Sequence, residues 1–307
     1  MAAPFSIFDH LALGAGAGMA PLSVFHLTGT SIVPFANDLF SSDVSALAPG
    51  RGTLTCLLTA QGKLVSRVFI HHRGHEMLFL TPTDGAAGFR DAMAKYAGVS
   101  EHRFEQMTGW VAVFLTGAQA DVRVNSLPKA FHVDYRLLGV DGYIGVVPTD
   151  EALALLPALL GKGFPDGVLA PETFEVFRVE GGVAKLGVDS PREVFPMEIN
   201  LTELVSLEKE CYVGQESVKR LSALGPPPRG LRAVKLSGAV PAGTPALVKG
   251  EEVGRLSSVV QSPSLRAPIG LALLRREMCQ PGQALEFATR TGPATGQVVP
   301  FPNQPAE

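Results

Sequence analysis

Lys209-Glu210-Cys211-Tyr212-Val213-Gly214-Gln215-Glu216 is the run from which the fold is read, and it leads into residues 217–224, where Val218 and Leu221 share one face of an expected helix. Cys211 falls just ahead of that helix. There the unpaired amide groups and the positive end of the helix dipole favour a thiolate, and Lys209 adds a cation. Gly214 lets the backbone turn sharply or approach a ligand closely. The arrangement suits a nucleophile or a soft-metal ligand. A small buried thiol beside a solvated helix start is the other reading of the same residues.

Toward the C-terminus, Gly225-Pro226-Pro227-Pro228 marks a boundary, since three prolines remove three backbone donors and enforce an extended connector. Beyond it, residues 231–236, 246–249, 253–260, 269–274 and 284–287 read as short strands separated by Gly, Pro or Ser, as in a small barrel or sandwich. Residues 300–307 read as a frayed tail. Toward the N-terminus, residues 22–27 read as a strand, 32–39 as a helix, and 54–58 and 64–70 as strands joined at Gln61-Gly62. Residues 76–81 return as a third strand after Arg73-Gly74. Residues 85–96 place Phe89, Met93 and Tyr96 on one helical face, and Asp150 caps a helix with Leu153, Leu156 and Leu160 as its core stripe. Irregular alternation of this kind indicates α+β rather than a doubly wound sheet.

A chain of 307 residues exceeds the usual single core, so two or three packed units are expected. Its 46% hydrophobic and 18% charged residues fit an ordinary globular protein, and the 33 Gly and 24 Pro point to many turns. A net charge of −3 provides no global field for a polyanion, which argues against direct nucleic-acid binding. No run long and apolar enough to span a membrane is visible, and residues 1–9 lack a basic leader, so a cytoplasmic home without membrane association is the expectation. Three widely spaced cysteines, Cys56, Cys211 and Cys279, argue against a disulfide framework or a self-contained zinc site. Cys56 reads as core and Cys279 as incidental. His71-His72-Arg73-Gly74-His75 reads as a polar hairpin tip, because adjacent strand residues point to opposite faces and cannot share one metal ion. Gly14-Ala15-Gly16-Ala17-Gly18 lacks the preceding strand of a phosphate loop.

The pattern Lys-x-Cys-Tyr-x-Gly-Gln-Glu resembles the signature of the YgfZ family, a branch of the fold family that includes the T-protein (aminomethyltransferase) of glycine cleavage. Likeness extends over roughly residues 20–290, through Leu27-Thr28-Gly29, Ser42-Asp43-Val44, Gln61-Gly62-Lys63, Gly187-Val188-Asp189, Pro196-Met197-Glu198 and Gly254-Arg255-Leu256-Ser257-Ser258. The resemblance implies a three-part, ring-like α+β molecule. Residues 1–225 would form two interleaved α+β subdomains and 226–307 a C-terminal β-barrel, with tetrahydrofolate in a central opening. Glu198 would anchor the pterin, as a carboxylate can take paired donors, with Asp189 as a second candidate. Two positions that relatives use against folate fall on Leu22 and Phe174, and Arg178 and Arg220 are candidates for its glutamate tail. Cys211 with Lys209 would be the chemical centre, and Tyr212, Gly214, Gln215 and Glu216 complete the motif.

The implied role is that of an accessory protein for iron–sulfur cluster assembly or repair, supporting cluster-dependent enzymes such as those of transfer RNA thiomethylation. One thiolate cannot hold a cluster alone, so Cys211 would be a single ligand completed by an iron–sulfur partner. One departure bears on activity. The acidic pair of the glycine-cleavage transferases falls here on Ser66 and Arg67, and neither can replace a carboxylate that manages positive charge. That disfavours aminomethyl transfer by the glycine-cleavage route. Two other readings stand beside the first: a folate-dependent one-carbon (aminomethyl or methyl) transferase using a different acid, and a protein-interaction module that has lost folate.

Overall fold

The computed structural model describes residues 11, 14–160, 167–290 and 292–304. Its first strand belongs to a sheet that the chain then leaves. β1 (Gly16–Met19) is followed by β2 (Leu22–Thr28), the helix Ile32–Leu39, β3 (Gly52–Leu58), β4 (Leu64–His72), β5 (Glu76–Pro82), the helix Thr83–Ala97 and β6 (Arg103–Gln106). These five later strands form an antiparallel sheet in the order β3-β4-β5-β2-β6. The chain then returns with β7 (Trp110–Thr116), β8 (Phe131–Val133) and β9 (Gly142–Pro148), and β1 pairs with β7 in a second sheet, β1-β7-β9-β8. The helices Thr149–Leu160 and Pro171–Glu180 follow.

After the helix Gln215–Ala223, six strands close a barrel: β10 (Arg229–Leu236), β11 (Pro245–Val248), β12 (Glu251–Ser262), β13 (Ala267–Arg275), β14 (Ala284–Thr289) and β15 (Gly292–Val299), in the order β10-β13-β12-β11-β14-β15. Alternation explains how the barrel is joined to the rest. Val234, Leu236, Leu256, Leu274, Phe287 and Val298 fill its interior. Leu231, Ala233, Ile269 and Leu271 face outward into a core shared with Phe114, Phe174, Phe177 and Leu204. A register shift in β12 between Leu256 and Val259 makes a bulge that re-aims Ser257 and Ser258 toward the 171–189 region.

Several local expectations need correction. Leu153 is 65% exposed, because the helix Thr149–Leu160 packs through Ala152, Leu156, Leu159 and Leu160 instead. His71 and His72 lie in β4 and are buried rather than at a polar tip. The His72 Nδ1 atom is 2.7 Å from the Leu47 carbonyl oxygen, and the His71 ring sits 4.4 Å from that of Phe131. Gly16 to Met19 is a sheet strand, and Phe174 lies on the helix Pro171–Glu180. Residues 300–304 are held to the body: Asn303 donates its amide to the Glu180 carbonyl at 3.2 Å, and the Phe301 ring covers Gly182. Residues 1–9, on which the leader expectation rests, lie outside the described residues. Among the described residues no helix is long and apolar enough to cross a membrane.

Candidate functional site

The cysteine motif is a tightly braced loop that leaves its thiol outside. The Lys209 ammonium spends its three donors on backbone carbonyls, those of Phe40 (2.7 Å), Ser42 (3.0 Å) and Asn37, around the C-terminal end of the helix Ile32–Leu39. Burial pulls its pKa down to about 8. Tyr212 is buried and donates its hydroxyl to the Ser206 carbonyl at 2.8 Å, and burial pushes its phenol up to about 12. The Gln215 amide donates to the Lys209 carbonyl, closing the loop. Gly214 has φ +84°, and a Cβ there would come within 2.4 Å of the Thr59 carbonyl oxygen, so the motif lies directly on the β3–β4 turn. Close approach at Gly214 is therefore to protein backbone. Cys211 is exposed, Cys56 and Cys279 are buried, and Glu216 and Arg220 are exposed. No Lys209 hydrogen bond reaches Cys211.

A separate cavity of about 360 Å³ lies where the two sheets meet. Its wall is assembled from distant parts of the chain: Arg67 of β4, Asp84 at the start of the helix Thr83–Ala97, Leu137 and Leu138, Phe174 and Glu175 with Arg178, and Lys185. Ser66 and Arg67 are adjacent in β4 and point to opposite sides, as a strand requires. Ser66 packs against Gly85 and bonds Thr81, so only Arg67 reaches the cavity. Arg67 is 5% exposed, donates through Nη1 to the Ala184 carbonyl at 2.7 Å, and has no partner for Nε. Burial lowers its pKa from the usual arginine value, and the negative charge of Asp84 acts against that shift. The Asp84 carboxylate accepts from the Leu186 amide at 2.6 Å.

Arg178 also lines the cavity but is fully engaged. It donates to Glu175, to Asp189, to the Val183 carbonyl (2.8 Å) and to the Ser258 hydroxyl (2.6 Å). Burial opposes its charge, yet the carboxylates of Glu175 and Asp189 raise its pKa above the ordinary value. Asp189 is buried and accepts from Arg178, from the Lys185 amide (2.9 Å) and from the Ser257 hydroxyl. Glu198, 2% exposed, accepts from its own loop at the Phe195 amide (3.1 Å) and from Arg229 Nε (2.8 Å). The structure thus places Phe174 and Arg178 in the cavity wall, Leu22 buried on β2 next to it, and Glu198, Arg220 and Cys211 away from it. Asp189 faces a wider cleft of about 1200 Å³ between the 187–192 loop and the barrel.

Sequence reading missed Asp84, Glu175 and Lys185 as cavity residues. Asp84 carries the one readable signal, an acid directly after a strand and at a helix start, which on its own indicates dipole compensation. Among the described residues no cluster of His, Cys, Asp or Glu is arranged to hold a metal ion.

Comparison with known proteins places these features. The closed barrel, residues 229–303, matches the family model of the glycine cleavage T-protein C-terminal barrel domain. The crystal structure of glycine cleavage system aminomethyltransferase T from Bartonella henselae superimposes with a TM-score of 0.84 at 19% identity, covering 98% of this chain and 90% of that one. The fold is that of the T-protein. Along the sequence, an aminomethyltransferase of Geobacillus thermodenitrificans (strain NG80-2) is 26% identical over 330 residues, 96% of this chain and 88% of its own. The mitochondrial aminomethyltransferase of Flaveria pringlei is 25% identical over 324 residues, 92% and 77% of the two chains. Similarity to these enzymes therefore runs through the whole T-protein fold of this chain and not through its barrel alone.

Proposed function

We propose that this chain is a folate-dependent one-carbon transferase of the T-protein fold, working with Asp84 as its cavity acid. The observation that carries the reading is that the cavity, having a cation at Arg67 where a carboxylate is expected, still contains a carboxylate at Asp84. A volume of about 360 Å³, the Phe174 face, and a donor and an acceptor set side by side suit a flat heterocycle bearing amide and amino groups. A reduced folate fits that description, and similarity to aminomethyltransferases along 96% of the chain supports it. When bound, the folate would carry the one-carbon unit. The protein's part would be to hold the ring against Phe174, to exclude water with Leu137 and Leu138, and to hold or accept a proton at the Asp84 carboxylate.

Calorimetric titration with tetrahydrofolate is the first test, followed by absorbance detection of one-carbon folate formed from a methyl, aminomethyl or formyl donor. Asp84→Asn should retain binding and lose about 100-fold or more in turnover. A null titration at millimolar tetrahydrofolate would remove the folate reading. Equal turnover by Asp84→Asn would remove the assigned acid.

A second reading rests on Cys211. Lys209, Tyr212, Gly214 and Gln215 are all spent on bracing a loop that leaves the Cys211 thiol exposed, between the exposed carboxylates of Glu210 and Glu216. An exposed thiol is compatible with contact to another protein, as accessory work on iron–sulfur enzymes would need. Cells lacking the native protein and supplied with Cys211→Ala decide it: full restoration of cluster-dependent enzyme activity would sink the role of the thiol.

A further inference from the structure

The Arg67 guanidinium leaves a question that the proposed transfer does not answer: what satisfies a buried cation with a spare donor. We infer that Arg67 selects folates whose one-carbon unit is at the carbonyl level, an N-formyl group, over those carrying it as a methyl or a cationic methylene; the inference rests on folate occupying this cavity. Three observations converge. Arg67 is 5% exposed, yet among the described residues only its Nη1 is bonded, to the Ala184 carbonyl, while Nε is sealed off without an acceptor and Nη2 is the donor left for a ligand; an unmet buried donor is costly enough to call for one. Its side chain lines the cavity itself, with Asp84 and Phe174 in the same wall. The other buried cavity cation, Arg178, is already bonded to two carboxylates, a carbonyl and a hydroxyl, which leaves Arg67 as the buried guanidinium in the wall with a donor to spare.

The chemistry then decides between ligands. A formyl oxygen is an acceptor that a guanidinium can bond in a site shielded from water. A methyl group offers no acceptor, and a positively charged one-carbon unit is repelled by the fixed cation. A carboxylate at this position would reverse the preference. The replacement at Arg67 therefore changes which oxidation level of folate the cavity favours, while the ring contacts remain the same.

The test is calorimetry on the full chain with 5-formyltetrahydrofolate and 5-methyltetrahydrofolate, two ligands that differ at one position. The wild type should bind the formyl compound roughly tenfold or more tightly, the scale of one charge-assisted hydrogen bond. Arg67→Met, which keeps much of the side-chain length but no donor, should bring the two affinities within about twofold of each other, and Arg67→Gln, which keeps a neutral donor, should fall between. A wild-type ratio near one overturns the inference whatever the variants do, as does a preference that persists in Arg67→Met. If both ligands bind equally, the folate reading stands and the selectivity fails; if neither binds, both fail.

Discussion

Asp189→Ala isolates the brace between the barrel and the cavity helix. The carboxylate is buried and takes three donors, the Arg178 guanidinium, the Lys185 amide and the Ser257 hydroxyl of the β12 bulge. Removing one partner of a buried ion pair costs about 3–5 kcal/mol, because the remaining charge loses its compensation. Arg178 keeps Glu175, the Val183 carbonyl and Ser258, so the expected loss lies at the low end, about 3 kcal/mol. Asp189→Asn keeps an acceptor oxygen without the charge and should lose about half as much. Urea unfolding followed by circular dichroism, extrapolated to water, measures both. A cycle with Ser257→Ala should be non-additive, since the two side chains share a hydrogen bond. Losses below about 1 kcal/mol in both Asp189 variants, or strict additivity in the cycle, would refute the brace.

Other expectations are simpler. Gly139→Ala should destabilise by at least about 2 kcal/mol and lower the soluble fraction, since φ is +98° and the added Cβ would sit 2.0 Å from the Phe177 carbonyl oxygen. Lys209 has a pKa of about 8 in the fold against 10.5 when free, so between those values the unfolded state binds the extra proton. Wild-type stability should therefore rise with pH across that window relative to Lys209→Met, by on the order of 1–3 kcal/mol, as read from parallel urea titrations. A thiol reagent should titrate one cysteine rapidly in the native protein, none in Cys211→Ser, and three in denatured wild type.

Much of the fold can be read in the sequence because its signals are local. The Pro226-Pro227-Pro228 break and the short strands after it announce the barrel, and Gln61-Gly62 announces the β3–β4 hairpin. The cavity is different. Its wall joins residues 67, 84, 137, 174 and 185, which only the tertiary fold brings together. Glu198 shows how a local signal can be read two ways. Pro196 opens a short 3-10 turn and Glu198, its third residue, accepts from the Phe195 amide, so the carboxylate serves the start of that turn in the structure. Gly214 was expected to serve a turn or a ligand; the turn is present, and the close contact is with the hairpin backbone. Leu153 fits the helical stripe on paper, but it lies on the side of its helix that no other element among the described residues covers.

The pairing of β1 with β7 has a consequence for how the chain comes to be folded during synthesis. Gly16 must wait for Thr116, a hundred residues later, before it has a partner. The five-stranded sheet, whose strands all lie between them, can close first on its own core of Phe25, Phe40, Phe79 and Phe89. A ribosome-bound chain would therefore carry an unpaired first strand behind an already folded insert, and the slow step would be the late capture of that strand. Mutations that weaken β1 should then raise aggregation of nascent chains more than they lower the stability of the finished protein.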